Sequence, residues 1–340
     1  MQKRRLAVTL GDLSGIGPEI VLKALARKDV TESCQLLLYG NAYVLEKIAK
    51  SSGIPLPEDL LFLRGADPSD RNCGASPALI DFPFPEEEDI RPGEVQEACG
   101  RMAERFIRQA VQDVRAGVAD ALVTAPIHKK ALRLAGVPFP GHTEMLAHLT
   151  GVADPVMAFD SPNLFVSLVT IHEAISDVAG LITQERLERT VRLTADACRK
   201  RIGGNPRIGV LALNPHAGEQ GLFGDEEERV LRPVIERLRG EGLDLSDPLV
   251  PDTAFSWIVP GGKSPYDGYV AMYHDQGLIP FKMVAFDCGV NVTLGLPIVR
   301  TSPDHGTAFD KAWKGTASES SLVAAIRLAG RFAPAERLRS

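Results

Sequence analysis

Leu6-Ala7-Val8-Thr9-Leu10-Gly11-Asp12-Leu13-Ser14-Gly15-Ile16-Gly17-Pro18-Glu19 sets a pattern that the rest of the chain repeats. Leu6–Leu10 reads as a short strand and Gly11–Gly17 as a tight turn. Pro18 then stands at a favoured first-turn position of a helix running through Ala26. Further along, Gln35–Tyr39, Ala121–Val123, Leu164–Ile171, Ile208–Leu213 and Tyr269–Tyr273 read as strands. Val95, Ala98, Met102, Phe106, Ala110 and Val114 recur every three or four residues and mark one face of a long helix. Other helices are predicted near 128–135, 142–149, 184–200, 225–239 and 320–331. The stretch from Ser76 to Pro92, with its prolines and the acidic run Glu86–Asp89, predicts an irregular surface excursion. Strands alternating with helices predict an α/β fold, with a largely parallel sheet covered by helices. At 340 residues the chain exceeds the size at which one core stops growing, so two domains are expected.

The net charge of −6, with no stripe of lysine and arginine, excludes a nucleic-acid-binding surface. Five scattered cysteines (Cys34, Cys73, Cys99, Cys198, Cys288) are odd in number and never spaced C-x-x-C, which suits reduced thiols. The apolar run after Arg5 is too short for a signal peptide, and no run approaches a membrane span. A soluble cytoplasmic protein with no membrane partner is expected.

The polar groups concentrate between Tyr273 and Asp310, where two histidines, four aspartates, Lys282, Arg300 and Asn291 are punctuated by glycine and proline. A packed core cannot hold so many polar groups without partners, so strand ends and turns facing a cleft are expected. In α/β proteins ligands bind beyond the carboxyl ends of strands. His172, His216 and His274 each follow a predicted strand, and three such histidines can converge on one divalent ion with a position left open for substrate. No local ligand spacing enforces that reading, and each could equally be a structural hydrogen-bonder. Gly11–Glu19 lacks both nucleotide-binding fingerprints and is either a phosphate cradle at a helix start or a plain tight turn. Pro140-Gly141-His142-Thr143-Glu144 opens a helix and offers an anion site, or ordinary capping by Thr143. Lys282, Asn291 and Arg300 sit on turns around short strands, where basic groups point to an anionic substrate.

Through these residues the chain closely resembles the 4-hydroxythreonine-4-phosphate dehydrogenase family, PdxA, over nearly its whole length. The most specific blocks are Thr124–Lys129, Pro140–Glu144, Leu213–Glu219, Tyr273–Gly277 and Gly289–Thr307. The resemblance implies that His172, His216 and His274 bind a divalent metal (zinc, magnesium or cobalt) and that His142, Thr143, Lys282, Asn291 and Arg300 bind a phosphorylated substrate. It implies a homodimer of two-domain α/β/α subunits similar to isocitrate and isopropylmalate dehydrogenases. The active site would lie in the interdomain cleft and be built across the subunit interface. Residues 1–135 and 295–340 would form the cofactor-side domain, and 136–294 the metal, substrate and dimerisation domain. Asp304, His305, Gly306 and Thr307 resemble that wider group's loop for NAD or NADP.

Three features depart from the family pattern. Gly11-Asp12-Leu13-Ser14 replaces Gly-Asp-Pro-Ala, His172-Glu173-Ala174 replaces His-aliphatic-Pro, and Trp313 with Ser318-Glu319-Ser320 resembles a branch acting on phospho-threonate and phospho-erythronate. The implied reaction oxidises the C3 hydroxyl of 4-(phosphooxy)-L-threonine, followed by decarboxylation. Lys282 and Asp252 are the candidate catalytic bases. The alternatives are the phospho-threonate activity and a non-catalytic phospho-metabolite sensor on the same fold.

Overall fold

The computed structural model describes residues 3–64, 75–83, 89–259 and 261–334. Cys73 and residues 86–88 of the acidic run lie outside the described residues. The chain forms two compact units, one of residues 1–155 with 296–340 and one of 156–295. Residues 136–155, with His142 and Thr143, therefore belong to the first unit. In chain order β1 (Arg4–Thr9), β2 (Cys34–Gly40), β3 (Leu61–Arg64), β4 (Ala78–Asp81) and β5 (Ala121–Thr124) lie in the first unit. The second holds β6 (Val156–Asp160), β7 (Phe165–Leu168), β8 (Arg207–Val210), β9 (Asp244–Leu245), β10 (Gly268–Ala271) and β11 (Val290–Leu294), before β12 (Arg300–Pro303) returns to the first.

The first unit's sheet runs β3-β4-β2-β1-β5-β12, and every pairing in it is parallel. Leu6, Ala7 and Val8 in β1 are fully buried. A central parallel strand covered on both faces is continuously apolar rather than alternating. The helices Glu97–Arg115 and Ser320–Phe332 pack against this sheet. At the end of β1 the chain turns through Gly11, whose φ is +72° and where a Cβ would stand 2.2 Å from the Pro126 carbonyl oxygen. Only glycine fits that left-handed, crowded position.

The second unit's sheet runs β11-β6-β7-β10-β8-β9 and is mixed. β11 pairs antiparallel with β6, and β6 with β7, while β7, β10, β8 and β9 pair in parallel. The largely parallel sheet expected from the sequence thus carries two antiparallel pairings in this unit. Only a tight turn separates β6 from β7, closed by the Leu164 N–H donating to Ser161 Oγ at 3.0 Å. A connection that short permits only an antiparallel neighbour. Phe159, Val166, Leu211, Tyr269 and Phe281 make up much of this unit's core.

Four local expectations are also corrected. β4 lies inside the stretch read as an irregular excursion. The strand ahead of His172 ends at Leu168 rather than Ile171. Lys282, expected on a turn, belongs to the helix His274–Ala285, with Pro280 inside it. Gly277 and Pro280 are local breakers, but burial of Leu278 and Phe281 overrides them. Asn291 and Arg300, expected on turns, lie on strands, Asn291 in β11 and Arg300 at the start of β12. Among the described residues no helix is long and apolar enough to cross a membrane.

Candidate active site

In the first unit Arg300 is buried and His142 half-buried, near enough for the arginine's charge to act on the imidazole. Arg300 opens β12, which pairs with β5 so that Arg300 stands beside Leu122. Its side chain is 3% exposed, and Nε and Nη2 donate to Thr124 Oγ1, at the end of β5, over 3.2 and 2.7 Å. Burial pushes the guanidinium pKa down to about 9. His142 is the first residue of the helix His142–Thr150, which follows Gly141 in extended conformation. Its ring is half-buried, and its Nε2 atom is sealed from solvent with no hydrogen-bond partner. Burial holds the His142 pKa well below its usual value, and the charge on Arg300 lowers it further. Desolvation thus disfavours the cation at both groups, and an arriving phosphate or carboxylate would relieve both. Thr143 follows on the same helix. The helix cap is Gly141, with no side-chain capping bond, so Thr143 is not the capping residue.

The lowered pKa of His142 makes stability depend on pH. Below its ordinary pKa near 6.5 the unfolded chain binds the proton that the folded chain refuses, so stability falls as pH drops through 6.5. The slope contributed by one such proton approaches about 1.4 kcal/mol per pH unit. We expect His142→Asn to flatten the pH dependence of the melting temperature between pH 7.5 and 5. An unchanged slope in that variant would refute the assignment.

The glycine turn and the predicted cofactor loop meet in the same unit. Ile16 N–H donates to the Thr307 carbonyl at 3.0 Å, and a Cβ on Gly15 would come within 3.0 Å of Thr307. Asp304 N–H donates to Ser321 Oγ, while exposed His305 sets Nδ1 against the Gly306 carbonyl at 3.1 Å. Trp313 Nε1 donates to the Leu13 carbonyl and Lys23 Nζ to Gly315, while fully buried Glu19 accepts from Ala317 N–H at 2.9 Å. Four of the turn's N–H groups have backbone or side-chain acceptors: Asp12 in Pro126, Ser14 in the Asp12 carboxyl, Gly15 in the Asp12 carbonyl and Ile16 in Thr307. Burial raises the Asp12 pKa, and its Oδ1 already accepts from Ser14 N–H and Oγ. These bonds favour a plain tight turn over a phosphate cradle. His128 stacks on Phe309 at 4.7 Å, with its Nδ1 sealed and unpartnered. No sequence signal foretells the aromatic shelf that Phe309 forms against His128.

In the second unit His172 and His274 lie with ring centroids 5.7 Å apart. His274 opens the helix His274–Ala285, and its Nδ1 meets Asp275 Oδ1 at 2.7 Å, which leaves Nε2 available. A carboxylate on the remote ring nitrogen orients a metal-binding imidazole, so this pair has the chemistry of a divalent-ion site. His216 is exposed on the turn Pro215–Gly221. Among the described residues no three His, Cys, Asp or Glu side chains stand together closely enough to hold a metal ion. The structure therefore brings two of the expected ligands together and leaves His216 apart. Lys282 lies on the helix of His274, with Nζ 5.6 Å from the Phe286 ring centre. Asn291 lies on β11 opposite Phe159. Asp252 is exposed in a turn.

The similarity of this chain to known proteins extends over nearly its full length. A model of the family described as pyridoxal phosphate biosynthetic protein PdxA matches residues 32–329. A 4-hydroxythreonine-4-phosphate dehydrogenase of Geobacter metallireducens is 45% identical over 331 residues, 97% of this chain and 96% of its own. A D-threonate 4-phosphate dehydrogenase of Salmonella typhimurium is 41% identical over 98% of this chain and 100% of its own. The crystal structure of a 4-hydroxythreonine-4-phosphate dehydrogenase from Klebsiella pneumoniae superposes with a TM-score of 0.84 at 40% identity, covering 97% of this chain and 98% of that one. With a matched family model over most of its length and relatives above 40% identity, the chain belongs to the PdxA family.

Proposed function

We propose that the protein oxidises the C3 hydroxyl of 4-(phosphooxy)-L-threonine with NAD or NADP as hydride acceptor. The product, 2-amino-3-oxo-4-(phosphooxy)butanoate, loses carbon dioxide to leave 3-amino-2-oxopropyl phosphate. Membership of the family makes the protein an oxidoreductase of pyridoxal phosphate biosynthesis. The observation that carries the substrate reading is the Arg300 charge acting on His142, two groups whose cationic forms burial disfavours. Arg300 and His142, with Thr143, hold the phosphate, and Lys282 and Asn291 take the remaining polar groups of the substrate. His172, His216 and His274 would hold a divalent ion (zinc, magnesium or cobalt), which when bound polarises the hydroxyl oxygen. As hydride leaves C3 for the nicotinamide, the hydroxyl proton passes to a base. Lys282 is favoured over Asp252 for that role because it shares a helix with His274. Asp304, His305, Gly306 and Thr307 contact the dinucleotide. Cys34, Cys99, Cys198 and Cys288 are free thiols, which supports a cytoplasmic location.

The second reading, oxidation of D-threonate 4-phosphate, is favoured by a relative of that name at 41% identity. NADH formation measured side by side on the two phosphorylated acids decides between them. A higher kcat/KM on 4-(phosphooxy)-L-threonine supports the first reading, and the reverse order selects the second. No NADH from either, with metal supplied, leaves a phospho-metabolite sensor.

For assembly, a second copy of the chain is the proposed partner, with the active site at the subunit interface. Ile279, Met283 and Phe286 are 61%, 73% and 75% exposed and recur at i, i+4 and i+7, an apolar stripe on the helix that carries His274 and Lys282. A stripe of that kind is a contact surface, and a self-complementary one makes a twofold dimer. We expect light scattering to give twice the chain mass for the wild type. Met283→Lys combined with Phe286→Lys should give one chain mass and reduced turnover. A fully active wild-type monomer rejects this assembly.

A further inference from the structure

The turn that carries His216 is strained. His216, Ala217, Glu219 and Gln220 have φ of 53°, 55°, 41° and 59°, with Gly218 between them at 77°. Side-chain-bearing residues avoid this left-handed region, and a run of them persists only where the surroundings over-determine it.

The surroundings here centre on Glu227. It is 1% exposed, and its Oε1 accepts from the N–H groups of Leu213 and Asn214, each at 2.8 Å. Its Oε2 accepts from Asn214 Nδ2 at 2.9 Å. The Asn214 amide also donates to Glu226 Oε2 at 2.7 Å. On the far side, a Cβ on Gly218 would stand 2.7 Å from Glu227 Oε2, so the turn closes directly over the carboxylate. Glu227 itself opens the widened helical turn Glu227–Leu231, an irregularity that is concentrated at functional sites. A buried carboxylate is tolerated only when its oxygens are satisfied, and the donors that satisfy it belong to the root of the His216 turn.

We propose that Glu227 is a positioning residue for His216, fixing the root of the turn that carries this proposed ligand. The proposal rests on the reading of His216 as a ligand. A deletion at such an outer position weakens metal binding by about 10–100-fold. The test is a cobalt(II) titration of the full chain, followed by the ligand-field absorption band, with melting temperature as the control for folding. Glu227→Ala should weaken cobalt(II) binding within that range. Glu227→Gln keeps an acceptor for both backbone N–H groups and should recover most of the loss. Adding Glu227→Ala to His216→Ala should weaken binding no further than His216→Ala alone, since both act through one ligand. Where the alanine variant does not fold, Glu227→Asp, which withdraws the carboxylate by one methylene, carries the same expectation. Wild-type cobalt(II) affinity in Glu227→Ala or Glu227→Asp, with affinity lost in His216→Ala, overturns the proposal and leaves the ligand reading standing. Undiminished affinity in His216→Ala overturns the ligand reading and the proposal with it.

Discussion

Arg300→Met should lower kcat/KM for the phosphorylated substrate by about 30-fold or more while dinucleotide affinity stays close to wild type. The magnitude follows from the site. Removing one member of a charge-assisted pair whose partner is left buried costs on the order of 2–5 kcal/mol, and each 1.36 kcal/mol is about tenfold in rate. Arg300 is 3% exposed, so water cannot replace it. Methionine keeps most of the side-chain volume, which limits the loss of packing, although Thr124 Oγ1 loses two donors. The predicted dinucleotide contacts begin at Asp304, past the end of β12. Substrate kinetics and NAD binding measured on the same variant separate the two roles. Should NAD affinity collapse while substrate kinetics hold, Arg300 serves the cofactor and the anion assignment is wrong.

His274→Ala should remove bound divalent metal and nearly all turnover. Metal polarisation of a reacting oxygen contributes several kcal/mol of transition-state stabilisation, so a loss of about 1000-fold is expected. The His274 ring lies 5.7 Å from His172 and is braced by Asp275 at 2.7 Å. Asp275→Asn should therefore act in the same direction but more weakly, by about 10–100-fold in metal affinity. Metal per chain by elemental analysis, turnover and melting temperature form the set of measurements. The side chain of His274 is 41% exposed, so the substitution should leave the melting temperature nearly unchanged. Full metal content with full turnover in His274→Ala ends the assignment.

Local signals reached some parts of the molecule and not others. The strand, glycine turn and helix of Leu6–Ala26 were legible because a buried strand is continuously apolar, and because Gly11 and Pro18 act through their own backbone constraints. The long helix Glu97–Arg115 was legible from its period alone. Strand direction was not, since an apolar run reads the same whether its neighbour is parallel or antiparallel, and the antiparallel pairing of β6 with β11 and β7 leaves no local mark. The helix His274–Ala285 was hidden by Gly277 and Pro280, whose local preference loses to the burial of Leu278 and Phe281.

By itself the sequence determined the α/β class, the positions of most elements and the residue types available for chemistry, because these follow from periodicity and from side-chain identity. Only the tertiary structure decided which of those residues meet. The Arg300 charge acts on His142 because β12 returns beside β5, a pairing between distant segments that leaves no local mark. His274 finds its carboxylate next door, whereas the conformation of the His216 turn depends on Glu227, across the turn and buried beneath it. Charge states likewise belong to the fold. Burial, which no single segment encodes, drives the Arg300 pKa down to about 9 and holds that of His142 well below its usual value.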